Sequence, residues 1–219
     1  MKIIPPKPIA VKPSRKPSAP KAFTFQWLTL QEPKETDHAG KEWTVKSKLT
    51  MTEHVLLSLL QNWEWRGNQM QKKFTQTYYA HGRVFTRQCV GFLKLRKISG
   101  YNHRTILKTL QSLFDRRIIT DEGALHPAFA KRFCKPTKNG GFTYIGLTIP
   151  NPGHDFNFQV FRAYDDWHIV KVHTAEVKPI KSRTTYYMHV MGISRRTFWL
   201  WEKRLADERD AMLARELAV

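Results

Sequence analysis

The sequence predicts an α+β chain built around two helix-turn-helix units, and three observations point there. The first is the run Leu95-Arg96-Lys97-Ile98-Ser99-Gly100-Tyr101-Asn102-His103-Arg104-Thr105-Ile106. The second is Tyr187-Met188-His189-Val190-Met191-Gly192-Ile193-Ser194-Arg195-Arg196-Thr197-Phe198. In each, a glycine closes one helix and a capping residue, Asn102 or Ser194, opens the next two positions later. The third is a switch of apolar spacing along the chain, from period two near residue 25 to helical spacing after residue 50.

Composition narrows the partner. Lys and Arg total 37 against 18 Asp and Glu, a formal net charge of +19 over 219 residues. That is the footprint of a chain that binds polyanions, with nucleic acid ahead of anionic membrane surfaces or acidic proteins. Hydrophobic residues make up 41%, enough for a packed core. The two cysteines, Cys89 and Cys134, are too few for a disulfide framework, which suits a reducing cytoplasm. No apolar run approaches the ~18 residues that span a bilayer, and residues 1–22 lack the apolar centre of a secretory signal.

Taken in order, residues 1–22 hold Pro5, Pro6, Pro8, Pro13, Pro17 and Pro20 among lysines and Arg15, with no acid. Missing backbone donors and like-charge repulsion predict a disordered basic arm there, free in solvent or laid along phosphates. Phe23, Phe25 and Trp27 then alternate with Thr24, Gln26 and Leu28, the pattern of a half-buried strand. Residues 31–41 read as a loop, with 42–46 pairing back as a short second strand. Thr50 and Glu53 carry capping-box spacing, and Val55, Leu56, Leu59, Leu60 and Trp63 continue at helical spacing, which places a helix at about 51–65. Residues 66–82 have no clear period.

A helix at about 86–97 packs Val90, Leu93 and Ile98 inward. After Gly100, Asn102 caps a second helix whose Ile106, Leu110 and Leu113 share one face. Arg104, Lys108 and Gln111 occupy the opposite face, beside His103 at the helix start, and are candidates for base edges and phosphates. Arg117-Ile118-Ile119-Thr120 reads as a strand with 142–149 as its partner. Between them lie Lys131, Arg132, Lys135 and Lys138, ending at Gly140-Gly141. Three helices followed by a hairpin with a basic tip resemble a winged helix-turn-helix domain, and the likeness covers roughly residues 50–150. The resemblance implies that the helix after Asn102 reads a DNA major groove while the basic tip touches the backbone. Arg96 stands four before Gly100, where that family has a small residue, and is expected to reach outward.

Residues 151–183 read as a linker with one strand, 167–172, dividing a domain over 23–150 from a helix-turn-helix over 184–219. In the latter, Ser194 caps a helix whose Phe198, Trp201 and Leu205 face inward. Arg196, Trp199 and Lys203 face outward, with Arg195 at the edge. Gly192-Ile193-Ser194-Arg195-Arg196-Thr197 is similar to the turn of helix-turn-helix regulators and transposon proteins, although Met188 replaces the small residue four before the glycine. The bland alternative is a helical hairpin that forms a homodimer.

Catalytic signatures are missing. There is no phosphate-binding G-x-x-x-x-G-K-[ST] loop, and His168, His173, Cys89 and Cys134 lack metal-ligand spacing. Tyr78-Tyr79 and Tyr186-Tyr187 read as packing residues, and Asp165-Asp166 as a solvated turn. The expectation is a non-enzymatic, sequence-specific binder of double-stranded DNA that needs no cofactor or metal. Two readers on one chain resemble plasmid or phage replication initiators, which implies a host replication helicase as a further partner. The same layout serves transcriptional regulators. An RNA-binding protein and a component of a larger nucleoprotein complex are the alternatives from other classes.

Overall fold

A computed structural model describes residues 23–65, 74–80, 83–89, 92–120 and 123–217. The basic arm, residues 1–22, lies outside them. The fold is mixed α+β, with helices gathered around short antiparallel strand pairs.

Its centre is a two-stranded ribbon. Strand β1 (Phe23–Leu28) pairs antiparallel with β6 (Tyr144–Ile149), with Phe25 opposite Leu147 and Trp27 opposite Ile145. Period-two alternation sends Phe25, Trp27, Ile145, Leu147 and Ile149 to one buried face and leaves Thr24, Gly146 and Thr148 in solvent. Two helices contact this ribbon: α1 (Met51–Trp65) lies on β1, and α5 (Phe156–His173) lies on β6. The Phe25 and Phe156 rings meet edge-on at 5.4 Å between centroids.

Helix α1 begins where the capping-box spacing placed it. The Thr50 amide donates to Glu53 at 2.8 Å, and the Glu53 amide donates to Thr50 Oγ1 at 3.3 Å. Val55, Leu56, Leu57, Leu59 and Leu60 are buried, each worth about 1.5–3 kcal/mol of transfer free energy. Helix α1 also packs against α2 (Phe92–Ser99) and α3 (His103–Asp115), which pack on each other.

Several expectations give way here. Residues 86–89 are not helical: they belong to β5 (Arg83–Cys89), which pairs with β4 (Phe74–Ala80). Helix α2 therefore starts later, and Leu95 and Ile98 seat it. Val90 lies outside the described residues. The strand at 42–46 is β3 (Glu42–Thr44), but it pairs with β2 (Lys34–Thr36) from the supposed loop and not with β1. The segment 117–120 does not partner 142–149. It turns at once through a bridge between Ile119 and Leu125, because Tyr144–Ile149 is already committed to β1 and Phe142 bridges Pro136.

The largest correction is α5. The expected linker strand 167–172 lies inside this 18-residue helix, and Asp165-Asp166 is helical too. Phe156, Phe158, Val160, Phe161, Tyr164, Asp165 and His168 are all buried on it. Helices α6 (Arg183–Val190) and α7 (Arg195–Leu217) follow, and Tyr187, Met191, Phe198 and Leu205 join the same core cluster.

Candidate nucleic-acid interface

The first helix-turn-helix is built from α2, the turn at Gly100 and α3. Gly100 adopts φ +70° and donates its amide to the Arg96 carbonyl at 2.9 Å, a left-handed ending that favours glycine. Asn102 Oδ1 then accepts from the Thr105 amide at 2.8 Å and caps α3. Ile106, Leu110 and Leu113 are buried, as their spacing requires. Arg104 and Lys108 are exposed, and so are Asn102 and His103 at the helix start. Arg96 is exposed at the end of α2.

Gln111 departs from expectation. It is 4% exposed, its amide nitrogen donates to Asp115 at 2.7 Å, and its Oε1 has no partner. It is closed to a ligand. The exposed basic edge of α3 is thus confined to its first half. The other end of α3 is fastened to α1. Arg116 donates to both Glu53 carboxylate oxygens at 3.0 and 3.1 Å, and Ser112 donates to Glu53 at 2.6 Å. Burial pushes the Glu53 carboxyl upward, but Ser112, the Thr50 amide and Arg116 outweigh it and hold the group below the usual range.

The basic segment after α3 is partly helical, since α4 (Pro127–Phe133) occupies its first half. Lys131, Lys135 and Lys138 are exposed. Arg132 is engaged: it pairs with Glu35 and lies 5.4 Å from the Phe133 ring centroid. A basic turn does exist here, closed by an isolated bridge and not by the expected pair of strands. Pro136 bridges Phe142, and the Thr137 amide donates to the Gly141 carbonyl at 2.8 Å, which leaves Lys138 at the bend.

The second helix-turn-helix is built from α6, the turn at Gly192 and α7. Gly192 has φ +64°, and Ser194 Oγ accepts from the Thr197 amide at 3.0 Å. Ser194, Arg195, Arg196, Trp199 and Lys203 are all exposed, while Phe198 and Leu205 are buried. Helix α6 is tied down from below. Arg183 donates to Asp165 at 2.7 Å and to Glu202 at 2.9 Å, and the buried Tyr187 hydroxyl donates to the same Asp165 oxygen.

The two units share one electrostatic character. Arg104, Lys108, Arg195, Arg196 and Lys203 form no ion pair with any described residue. Acidic groups instead hold the arginines between helices: Arg162 with Glu208, Arg183 with Asp165, and Arg204 with Asp155. Leu200, 58% exposed beside Trp199, is a large apolar residue on the outer face that binary patterning missed. Its neighbour Arg204 is unavailable, lying 3.8 Å over the Phe158 ring.

No family model, curated protein or solved structure matches this chain. Among the described residues there is no cluster of three or more potential metal ligands, and no helix is long and apolar enough to cross a membrane.

Proposed function

We propose that this chain binds double-stranded DNA in a sequence-specific manner, with α3 and α7 as its two reading helices. One observation carries the reading. Both helices start at a capped residue just beyond a left-handed glycine, and in their opening turns both expose arginines (Arg104, and Arg195 with Arg196) that pair with no acid among the described residues. Helix starts of this kind enter the major groove in helix-turn-helix proteins, where arginine donates two parallel bonds to guanine O6 and N7. The exposed Lys131, Lys135 and Lys138 fit backbone contacts beside the first reader, as a wing would make them.

Stacking on unpaired RNA bases has less support, because most of the aromatic residues whose burial is described are committed to packing. Phe25, Trp27, Phe156, Phe161, Tyr187 and Phe198 are each no more than 2% exposed.

Selection of bound sequences from random duplexes tests the reading. A bipartite preferred site is the expected result; enrichment of no duplex sequence, with affinity following salt alone, rejects it. Two readers on one body suit the repeated sites of a replication origin, so the narrower role we assign is initiation, with a host helicase as the recruited partner. Replication of the cognate origin in cells lacking this gene excludes that role.

A further inference from the structure

Helix α7 presents an unusual outer stripe. Arg196, Trp199, Leu200 and Lys203 stand at i, i+3, i+4 and i+7, so two cations and two large apolar side chains share one face. Trp199 is 55% exposed and Leu200 58% exposed, on a helix whose inner face is already filled by Phe198 and Leu205. The apolar pair is therefore surplus to the core. Its setting selects the occupant: cations flank it, and none of them has an acidic partner among the described residues. A complementary surface must offer apolar groups inside a strongly anionic frame. The DNA major groove does so at one kind of base edge, the C5 methyl of thymine, with phosphates on either side.

We infer that Trp199 and Leu200 read thymine methyl groups in the half-site bound by α7. The inference rests on the DNA-binding reading above and adds a base identity to it. Arginine forks specify guanine, whereas an apolar side chain has no partner at a guanine edge and gains from the buried methyl at thymine.

Deoxyuridine differs from thymidine by that methyl alone and leaves every hydrogen-bonding group in place. In the duplex recovered by selection, each thymine is replaced in turn by deoxyuridine and binding is measured at fixed salt. Arg196→Ala marks which half belongs to α7. At one or more thymines in that half, the native chain is expected to lose about four-fold in affinity, the worth of one buried methyl. Trp199→Ala or Leu200→Ala should abolish that sensitivity while leaving thymines in the other half unaffected; both side chains are exposed, so the variants keep the fold.

Indifference of the native chain to uridine at every position overturns the inference while leaving the DNA reading intact. Undiminished sensitivity in both variants overturns it as well. If the variants instead change the sedimenting mass of the free protein, with uridine neutral, the stripe is a contact between copies and the inference falls. Recovery of no preferred duplex by the native chain removes both readings together.

Discussion

The carbonyl oxygen of Gly153 occupies the space that a side chain at Gly100 would need: a Cβ built there falls 1.8 Å from it. Gly192 stands in the same relation to Leu49, whose carbonyl oxygen lies 2.0 Å from its missing Cβ. Both turns thus meet backbone from a distant part of the chain. Gly100 abuts the segment leading into α5, and Gly192 abuts the segment leading into α1, where the Met51 amide also donates to the Gly192 carbonyl at 3.2 Å.

Gly100→Ala and Gly192→Ala should each cost about 2–4 kcal/mol, because a left-handed φ and a backbone clash add together. Gly140, at φ +80° with nothing within 4 Å of its Cβ position, isolates the first effect. Gly140→Ala should cost only about 1 kcal/mol. Urea unfolding midpoints measure all three; equal losses would show that the clash relaxes away.

Acid stability should decline in two windows. His54 is fully buried on Trp27, 3.7 Å between ring centroids, and burial brings its pKa down to about 4. The folded chain therefore holds this imidazole neutral, while the unfolded chain takes up a proton below about pH 6.5. Stability from this group is complete above pH 6.5 and drains as pH falls toward 4, by about 3 kcal/mol. His54→Gln should flatten that limb in unfolding titrations.

Glu53 acts lower on the scale. Its folded pKa lies below the ordinary carboxyl value of 4.5, so its contribution is whole above that pH and disappears as acid titrates the folded carboxylate. Glu53→Gln should cost about 2 kcal/mol at neutral pH, from the weakened bonds with Arg116 and Ser112. The loss should shrink as acid carries the pH through the lowered folded pKa, below which the native carboxyl is protonated as well. A pH-independent deficit would mean that shape, not charge, matters at this position.

Substitutions on the readers should divide by exposure. Arg104→Ala and Arg196→Ala are expected to relax discrimination at one base by about 1–3 kcal/mol each. Uniform weakening across sequences, with a shallower salt slope, would make them phosphate anchors instead. Gln111→Ala should leave DNA binding unchanged, because the residue is buried.

Asp165 joins α5 to α6 through Arg183 and Tyr187, and is 2% exposed. Asp165→Ala leaves the buried Tyr187 hydroxyl without its acceptor and Arg183 with Glu202 alone, and should cost about 1–3 kcal/mol of stability. Loss of affinity should concentrate in the half-site read by α7. Equal loss in both halves would show that this network supports the whole core and not the second reader alone.

The local devices were readable from residues alone, since each is completed within a few positions. Thr50 with Glu53, Asn102 with Thr105 and Ser194 with Thr197 all form the caps that their types and spacing announced. What escaped depends on distant chain. The partner of Tyr144–Ile149 lies about 120 residues earlier, and nothing nearby signals that β1 would take it. Helix α5 hid because Phe156, Phe158 and Val160 alternate like a strand, and because it is buried on several sides and lacks an apolar stripe. Gln111 shows the same limit on a smaller scale. A helical wheel places it outward beside Arg104 and Lys108, but tertiary packing encloses it.

The two glycine seats described above have a mechanical corollary. Each proposed reading helix starts from a turn seated against backbone of one shared core, which holds the pair at a set spacing like the jaws of a calliper. On the DNA-binding reading, such an instrument would measure as well as read. Five base pairs inserted between its half-sites would rotate one of them to the far side of the duplex, whereas ten would restore the facing and still overshoot the span.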